Sequence, residues 1–147
     1  MNIKVSRLNL ISPLYYTPEE NSDPFAYRED DGEKLFCFEL NRAQAQEFEP
    51  DKREFLREMI FAGKAAEGDG GQALPPGNYL FAQRRELVCR AGIVDMAVEI
   101  QQEGLWQRLS LGGTLYLRRL FEDGCSVTQV LRPYTEPKTE SFAAPLP

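Results

Sequence analysis

The chain of 147 residues contains no histidine. Imidazole is the commonest general base in nucleophilic catalysis and the commonest metal ligand. Its absence excludes serine-histidine and cysteine-histidine nucleophile pairs, and histidine-based zinc or iron sites with them. Cysteine is scarce as well: Cys37, Cys89 and Cys125 form no C-x-x-C pair. An odd number of distant cysteines points to a reducing compartment, and each thiol reads as a small buried hydrophobe. No run approaches the roughly 20 apolar residues of a membrane helix. Met1 to Tyr16 carries Lys4 and Arg7 but neither a continuous apolar core nor a small-residue cleavage site. The expected location is the cytoplasm, with no membrane partner. A basic excess is also missing, with 17 basic against 23 acidic residues. Neutralising phosphates supplies most nucleic-acid affinity, so no nucleic-acid partner is expected.

What is present is an ordinary globular composition, 42% hydrophobic and 27% charged, enough for one domain. The charge is concentrated. Glu19, Glu20, Asp23, Glu29, Asp30, Asp31 and Glu33 face only Arg28 between Thr17 and Glu33, so this segment holds the whole net charge of −6. With two prolines and an Asn-Ser-Asp run, it reads as an exposed, solvated loop.

Alternation from Ile3 to Leu10 predicts a strand, with a phase slip at Ser6-Arg7 that marks a bend. Lys34–Leu40 is a second strand, with Phe36, Phe38 and Leu40 on one face and Leu35, Cys37 and Glu39 on the other. A first helix is expected from Pro50-Asp51. Asp51 and Glu54 make a capping box, and Phe55, Met59 and Ala62 a stripe widened by Leu56 and Ile60. Asn41 opens a shorter helical turn through Phe48. The Gly-rich run Glu67 to Gln72 is a link between halves. It lacks the lysine and spacing of a phosphate-binding loop.

In the second half, Leu74 to Asn78 is a turn launching a strand, Tyr79–Gln83. A second helix should span Arg85 to Glu103. Leu87, Ala91, Val94, Val98 and Leu105 lie on one face, broadened by Val88, Ile93, Ala97 and Ile100, and Gly104 terminates it. Gly113–Phe121 and Cys125–Arg132 form a hairpin through Asp123-Gly124, a pair suited to positive φ. The set Leu115, Leu117, Arg119 and Phe121 should face the helices, and Thr114, Tyr116, Arg118 and Leu120 the other side. These elements sum to a single α+β domain over 1–134, with halves 1–66 and 73–134 and a flexible tail, 135–147. Its antiparallel sheet carries two main helices packed on one face, with a strand-helix-strand-strand unit in the second half.

The stretch Leu74-Pro75-Pro76-Gly77-Asn78-Tyr79, with the closing run Gln129-Val130-Leu131-Arg132-Pro133, resembles the GyrI-like family of bacterial effector-binding domains. The resemblance covers residues 74–133. It implies a strand-helix-strand-strand unit and small-molecule recognition. The family often has a glutamate in its penultimate strand to meet cations. Here that strand, Thr114 to Leu120, carries none.

Six residues stand out as ligand-binding candidates. Glu39, on a face with Leu35 and Cys37, could anchor a ligand, and equally pair with an arginine. Arg118, on a face with Thr114 and Tyr116, offers a rigid donor fork. Tyr79, Phe81, Trp106 and Tyr116 supply rings that line apolar pockets or fill a core. None of the five lysines, Lys4, Lys34, Lys52, Lys64 and Lys138, sits in an apolar run. No carboxylate pair stands out for acid-base work. The expectation is a non-enzymatic module without metal or cofactor, binding a small, partly apolar molecule on the uncovered sheet face. The alternative is a protein-interaction or self-associating module, with a homodimer as one form of it.

Overall fold

Asp123 and Gly124 turn the chain with φ of 54° and 77°. Two consecutive left-handed residues give the tight turn that matches strand twist, and Glu122 pairs with Cys125 across it. The computed structural model, which describes residues 3–20, 23–25, 32–40, 56–66, 71, 73–85 and 90–136, builds outward from this hairpin. The strands are β1 (Ser6–Leu10), β2 (Leu14–Pro18), β3 (Lys34–Leu40), β4 (Leu56–Ala66), β5 (Ala73–Leu74), β6 (Gly77–Arg84), β7 (Ser110–Leu111), β8 (Thr114–Glu122) and β9 (Cys125–Thr135). A single described helix, α1 (Arg90–Trp106), lies between β6 and β7. The sheet runs β1-β6-β9-β8-β3-β4-β2-β5, with β7 paired to β9, and every pairing is antiparallel.

This corrects the expected architecture. The molecule is mostly sheet, curled into a half-barrel, and not a layer under two main helices. The stretch given to the first helix is strand β4 from Leu56 onward; residues 41–55, with the expected caps at Asn41 and Asp51, lie outside the described residues. The reason is visible in the pairing. Register shifts between Cys37 and Phe38 and between Glu39 and Leu40 break the two-residue alternation in β4, leaving Phe61 packed on one side and Met59 and Ile60 exposed. Bulges of this kind disguise a strand as a helical stripe.

Curling follows from connectivity. β5 is one margin of the sheet and β6 lies next to the other, yet only Pro75 and Pro76 separate them. Three residue steps reach at most about 11 Å, so the margins must approach each other. Burial gives the direction. At both margins Leu8, Leu10, Leu14, Tyr16, Leu74 and Tyr79 pack into one cluster, while Arg7, Asn9, Thr17 and Asn78 are exposed. The first set lines the inside of the curl. Gly63 permits the close approach there, since a Cβ on it would lie 2.5 Å from the Phe61 ring and 2.8 Å from the Thr17 carbonyl oxygen.

The main core lies on the outer face. Phe36, Phe38, Leu80, Leu115, Leu117 and Val130 meet Ile93, Met96, Ala97 and Ile100 of α1. Ile3 and Val5 join this core while Leu8 and Leu10 join the inner one, as an unbroken two-residue alternation places them. β1 pairs with β6 in continuous register, with no irregularity at Ser6-Arg7, where a bend is expected. Arg119 is fully buried, its Nη1 donating to the Pro24 carbonyl at 2.6 Å. Phe25 packs against the same core beneath Arg90, 5.5 Å from its ring centroid. The acidic segment is therefore anchored at Pro24 and Phe25, which corrects its reading as a wholly solvated loop.

The helix spans Arg90–Trp106 where Arg85 to Glu103 is expected, Leu87 and Val88 lie outside the described residues, and its form differs in two further respects. The buried stripe centres on Ile93, Ala97, Ile100 and Gly104, whereas Ala91 and Leu105 are exposed. Gly104 also lies inside the helix, where a Cβ would sit 2.6 Å from Leu111 Cδ1, and does not end it. The end is made by Arg108, at φ 60°. Leu109 N–H donates to Gly104 O at 2.9 Å and Arg108 N–H to Leu105 O at 3.1 Å. These two bonds form a Schellman cap with arginine where glycine is preferred. Arg108→Gly should therefore stabilise the fold by about 1 kcal/mol, measured as a higher urea midpoint at unchanged slope.

Candidate functional site

Strand periodicity sorts the hairpin residues. Leu117 and Arg119 of β8 turn to the helix side; Tyr116 and Arg118 turn inward. The register then builds layers across the inner face. One layer holds Phe81, Leu131, Tyr116, Cys37 and Phe61, each opposite the next. The neighbouring layer holds Gln83, Gln129, Arg118 and Leu35.

The second layer carries a continuous chain of polar contacts. Gln129 Nε2 donates to Gln83 Oε1 at 3.0 Å, and Arg118 Nη1 donates to Gln129 Oε1 at 3.1 Å. Arg118 Nε donates to Glu33 Oε2 at 2.9 Å, and the same oxygen accepts the Tyr16 hydroxyl at 2.5 Å. Arg118 and Glu33 keep 22% and 27% of their side-chain surface exposed, so the chain sits at an open end of the half-barrel. Burial lowers the Arg118 pKa, but the bond to Glu33 and the nearby Tyr16 and Glu33 outweigh it and hold the guanidinium charged.

Beside this row lies an aromatic patch. Tyr79 and Tyr116 meet edge to face, with centroids 6.0 Å apart and planes at 85°. Tyr79 Oη donates to the Pro75 carbonyl at 2.5 Å, fixing its ring under the turn that joins the sheet margins. Phe81 packs into the same cluster.

Of the six expected residues, Phe81, Tyr116 and Arg118 converge here. Tyr79 joins them through its ring contact with Tyr116, while its own layer, paired to Pro133, stands one step further from the polar row. Glu39 shares their face but pairs with Thr114, four residues along β3 from the Leu35–Arg118 pairing. At about 3.3 Å per residue it stands roughly 13 Å from the polar row. Trp106 is not on this face. It ends α1 with 83% of its surface exposed, beside a hollow of about 390 Å³ lined by Glu99, Gln102, Glu103 and Leu105. Sequence reasoning missed Tyr16, Glu33, Gln83 and Gln129. Glu33 and Arg118 are 85 positions apart, and only the β3–β8 register brings them together. Among the described residues no group of three or more Cys, Asp or Glu could hold a metal ion. No described helix is long and apolar enough to cross a membrane.

No protein-family model matches the chain, and no curated protein matches it.

Burial dominates the acid-base behaviour of the inner face. It pushes the Cys37 thiol up to about 12 and raises the Tyr16, Tyr79 and Tyr116 hydroxyls above the ordinary phenol value of 10.0. For Tyr16 the bond to Glu33 adds to the rise, and Arg118 opposes it. Raised folded-state values mean that the protonated forms stabilise the fold fully below the ordinary ionisation range. That stabilisation is lost as pH climbs toward the folded values. Stability should hold near neutrality and fall above pH ~9, and Tyr16, Tyr79 and Tyr116 should ionise only as circular dichroism reports unfolding. Tyrosinate absorbance followed alongside circular dichroism checks this; full ionisation of all six tyrosines in the folded protein would contradict it.

Proposed function

We propose that this chain is a non-catalytic module that binds a small, partly apolar molecule at the open end of the half-barrel. One observation carries the reading. The rings of Tyr116 and Phe81 lie one residue layer from the hydrogen-bonded row Gln83–Gln129–Arg118–Glu33–Tyr16, and Tyr79, edge to face with Tyr116, stands one layer further along β6. Ligand sites commonly combine an apolar wall with a few convergent polar groups, the wall supplying affinity and the polar groups orientation. The resemblance of residues 74–133 to effector-binding domains of the GyrI-like family supports the same reading.

The chemistry of the groups supports binding over catalysis. The buried Cys37 thiol is protonated at neutral pH, and so are the inner tyrosines. The Glu33 carboxylate is engaged by two donors on a single oxygen. None of these is poised as a nucleophile or base near pH 7.

A panel of uncharged bicyclic aromatics, followed by thermal shift and tyrosine fluorescence, tests the proposal. A ligand at a hundred times its dissociation constant should stabilise the fold by about 2.7 kcal/mol. Tyr116→Ala should weaken binding by about tenfold, the scale of one lost aromatic contact. A panel that shifts nothing would remove the reading.

One observation favours a second, protein-interaction reading. Trp106 and Leu105 are exposed together at the end of α1, and tryptophan is over-represented among residues that anchor interfaces. Self-association through this end would give a dimer mass by light scattering, abolished by Trp106→Ala. A monomer at high concentration would remove it.

A further inference from the structure

We infer that the ligand of the inner face is a neutral planar heterocycle bearing a cyclic amide edge, with its ring against Tyr116 and Phe81 and its edge against Arg118 and Glu33. This inference rests on the ligand-binding reading above and adds the ligand class.

The argument begins with the geometry of the ion pair. Arginine and carboxylate often meet fork to fork, through two parallel bonds. Here the carboxylate is reached through one oxygen only. Oε2 of Glu33 accepts both Arg118 Nε and the Tyr16 hydroxyl. Arg118 also interacts with the Tyr16 hydroxyl, yet among the described residues neither Glu33 Oε1 nor Arg118 Nη2 has a partner in good hydrogen-bond geometry. The row therefore offers one spare acceptor and one spare donor on adjacent groups. Both residues keep about a quarter of their side-chain surface open, at 27% and 22%.

Charge narrows the class. Glu33 and Arg118 neutralise each other at 2.9 Å. An anionic ligand would gain the guanidinium but meet the carboxylate, and a cation the reverse, while both would be desolvated against the rings. A neutral group carrying an N–H beside a C=O satisfies both partners: the N–H donates to Glu33 Oε1, and the carbonyl accepts from Arg118 Nη2. A cyclic amide fixes that donor and acceptor side by side in one plane. The aromatic wall asks for a planar body: Tyr116 and Phe81 stand on the adjoining layer, both paired to Leu131, about 7 Å along their strands from Arg118 and Gln83. A bicyclic ring spans that interval.

The full chain is titrated by calorimetry with carbostyril, N-methylcarbostyril, naphthalene and naphthoate. Carbostyril carries the amide edge; N-methylation removes only the donor; naphthalene keeps the ring alone; naphthoate adds an anion. Carbostyril should bind at least tenfold tighter than each of the others. Glu33→Gln leaves the guanidinium uncompensated and should reverse the order, raising naphthoate affinity tenfold or more. Arg118→Gln should bring carbostyril down to the level of naphthalene. Equal binding of carbostyril, its N-methyl derivative and naphthalene would overturn the amide edge while leaving an aromatic site in place. No binding by any of the four would remove the site and the inference together.

Discussion

The short connection between β5 and β6 governs the geometry of the whole inner face. Pro75 and Pro76 link strands that occupy opposite regions of the sheet order. Two prolines restrict the backbone to extended conformations with fixed φ, so the link acts as a stiff strut more than a slack loop. The Pro75 carbonyl then accepts the Tyr79 hydroxyl, tying the strut to the aromatic pair. The ladder itself sets the polar row: Tyr16 on β2 pairs with Ala65 on β4, whose N–H donates to the Glu33 carbonyl, and the Glu33 carboxylate meets both the Tyr16 hydroxyl and Arg118 on β8. The curl and the seating of Tyr79 are thus tied to one constraint.

Legibility in the sequence followed the range of the interactions involved. The hairpin was readable because Asp123-Gly124 acts locally, and Lys34–Leu40 because its alternation is complete within seven residues. The partition of Leu117 and Arg119 from Tyr116 and Arg118 needed only the pleat. β4 was misread because its exposed and buried residues are set by bulges in its pairing with β3, which leave no clean period of two. The phase of α1 was blurred by a nearly continuous apolar run from Ile93 to Val98, and the close contact of Gly104 with Leu111 selects one phase among several. In the site, the rings and Arg118 were visible as residue types on a strand. Glu33, Tyr16, Gln83 and Gln129 were not, because a glutamate before a strand or a glutamine within one has no local signature.

Two adjacent arginines show how far the environment, and not the residue, decides a role. Arg118 points inward, meets a carboxylate and keeps contact with solvent. Arg119 points to the helix side, fully buried, and donates a hydrogen bond to the Pro24 carbonyl. Arg132, also buried on that side, donates to the Gly112 carbonyl and to Gln101, and burial lowers it to about 10. Buried arginine charges are costly to the fold unless they are matched. They cannot offer their donors to a ligand without losing the contacts that justify their burial. The outer arginines are therefore fasteners between loop, helix and sheet.

The inner arginine has the opposite balance. Its charge is matched by Glu33, so the pair can keep contact with solvent at little penalty, and its attachment through one nitrogen and one oxygen leaves further hydrogen-bonding capacity. The residues that need the fold's interior to be dry, Cys37, Leu35 and Leu131, lie beside or behind it. They exclude water from one side of the polar row without occupying its open side. Weak competition from water is what makes a neutral hydrogen-bond pair selective, since an unmatched donor or acceptor pressed against that row would be left unsatisfied. In the proposed site, selectivity would arise from the same burial that raises the tyrosine and thiol ionisation ranges; the interior that keeps those groups protonated would make a mismatched ligand edge costly.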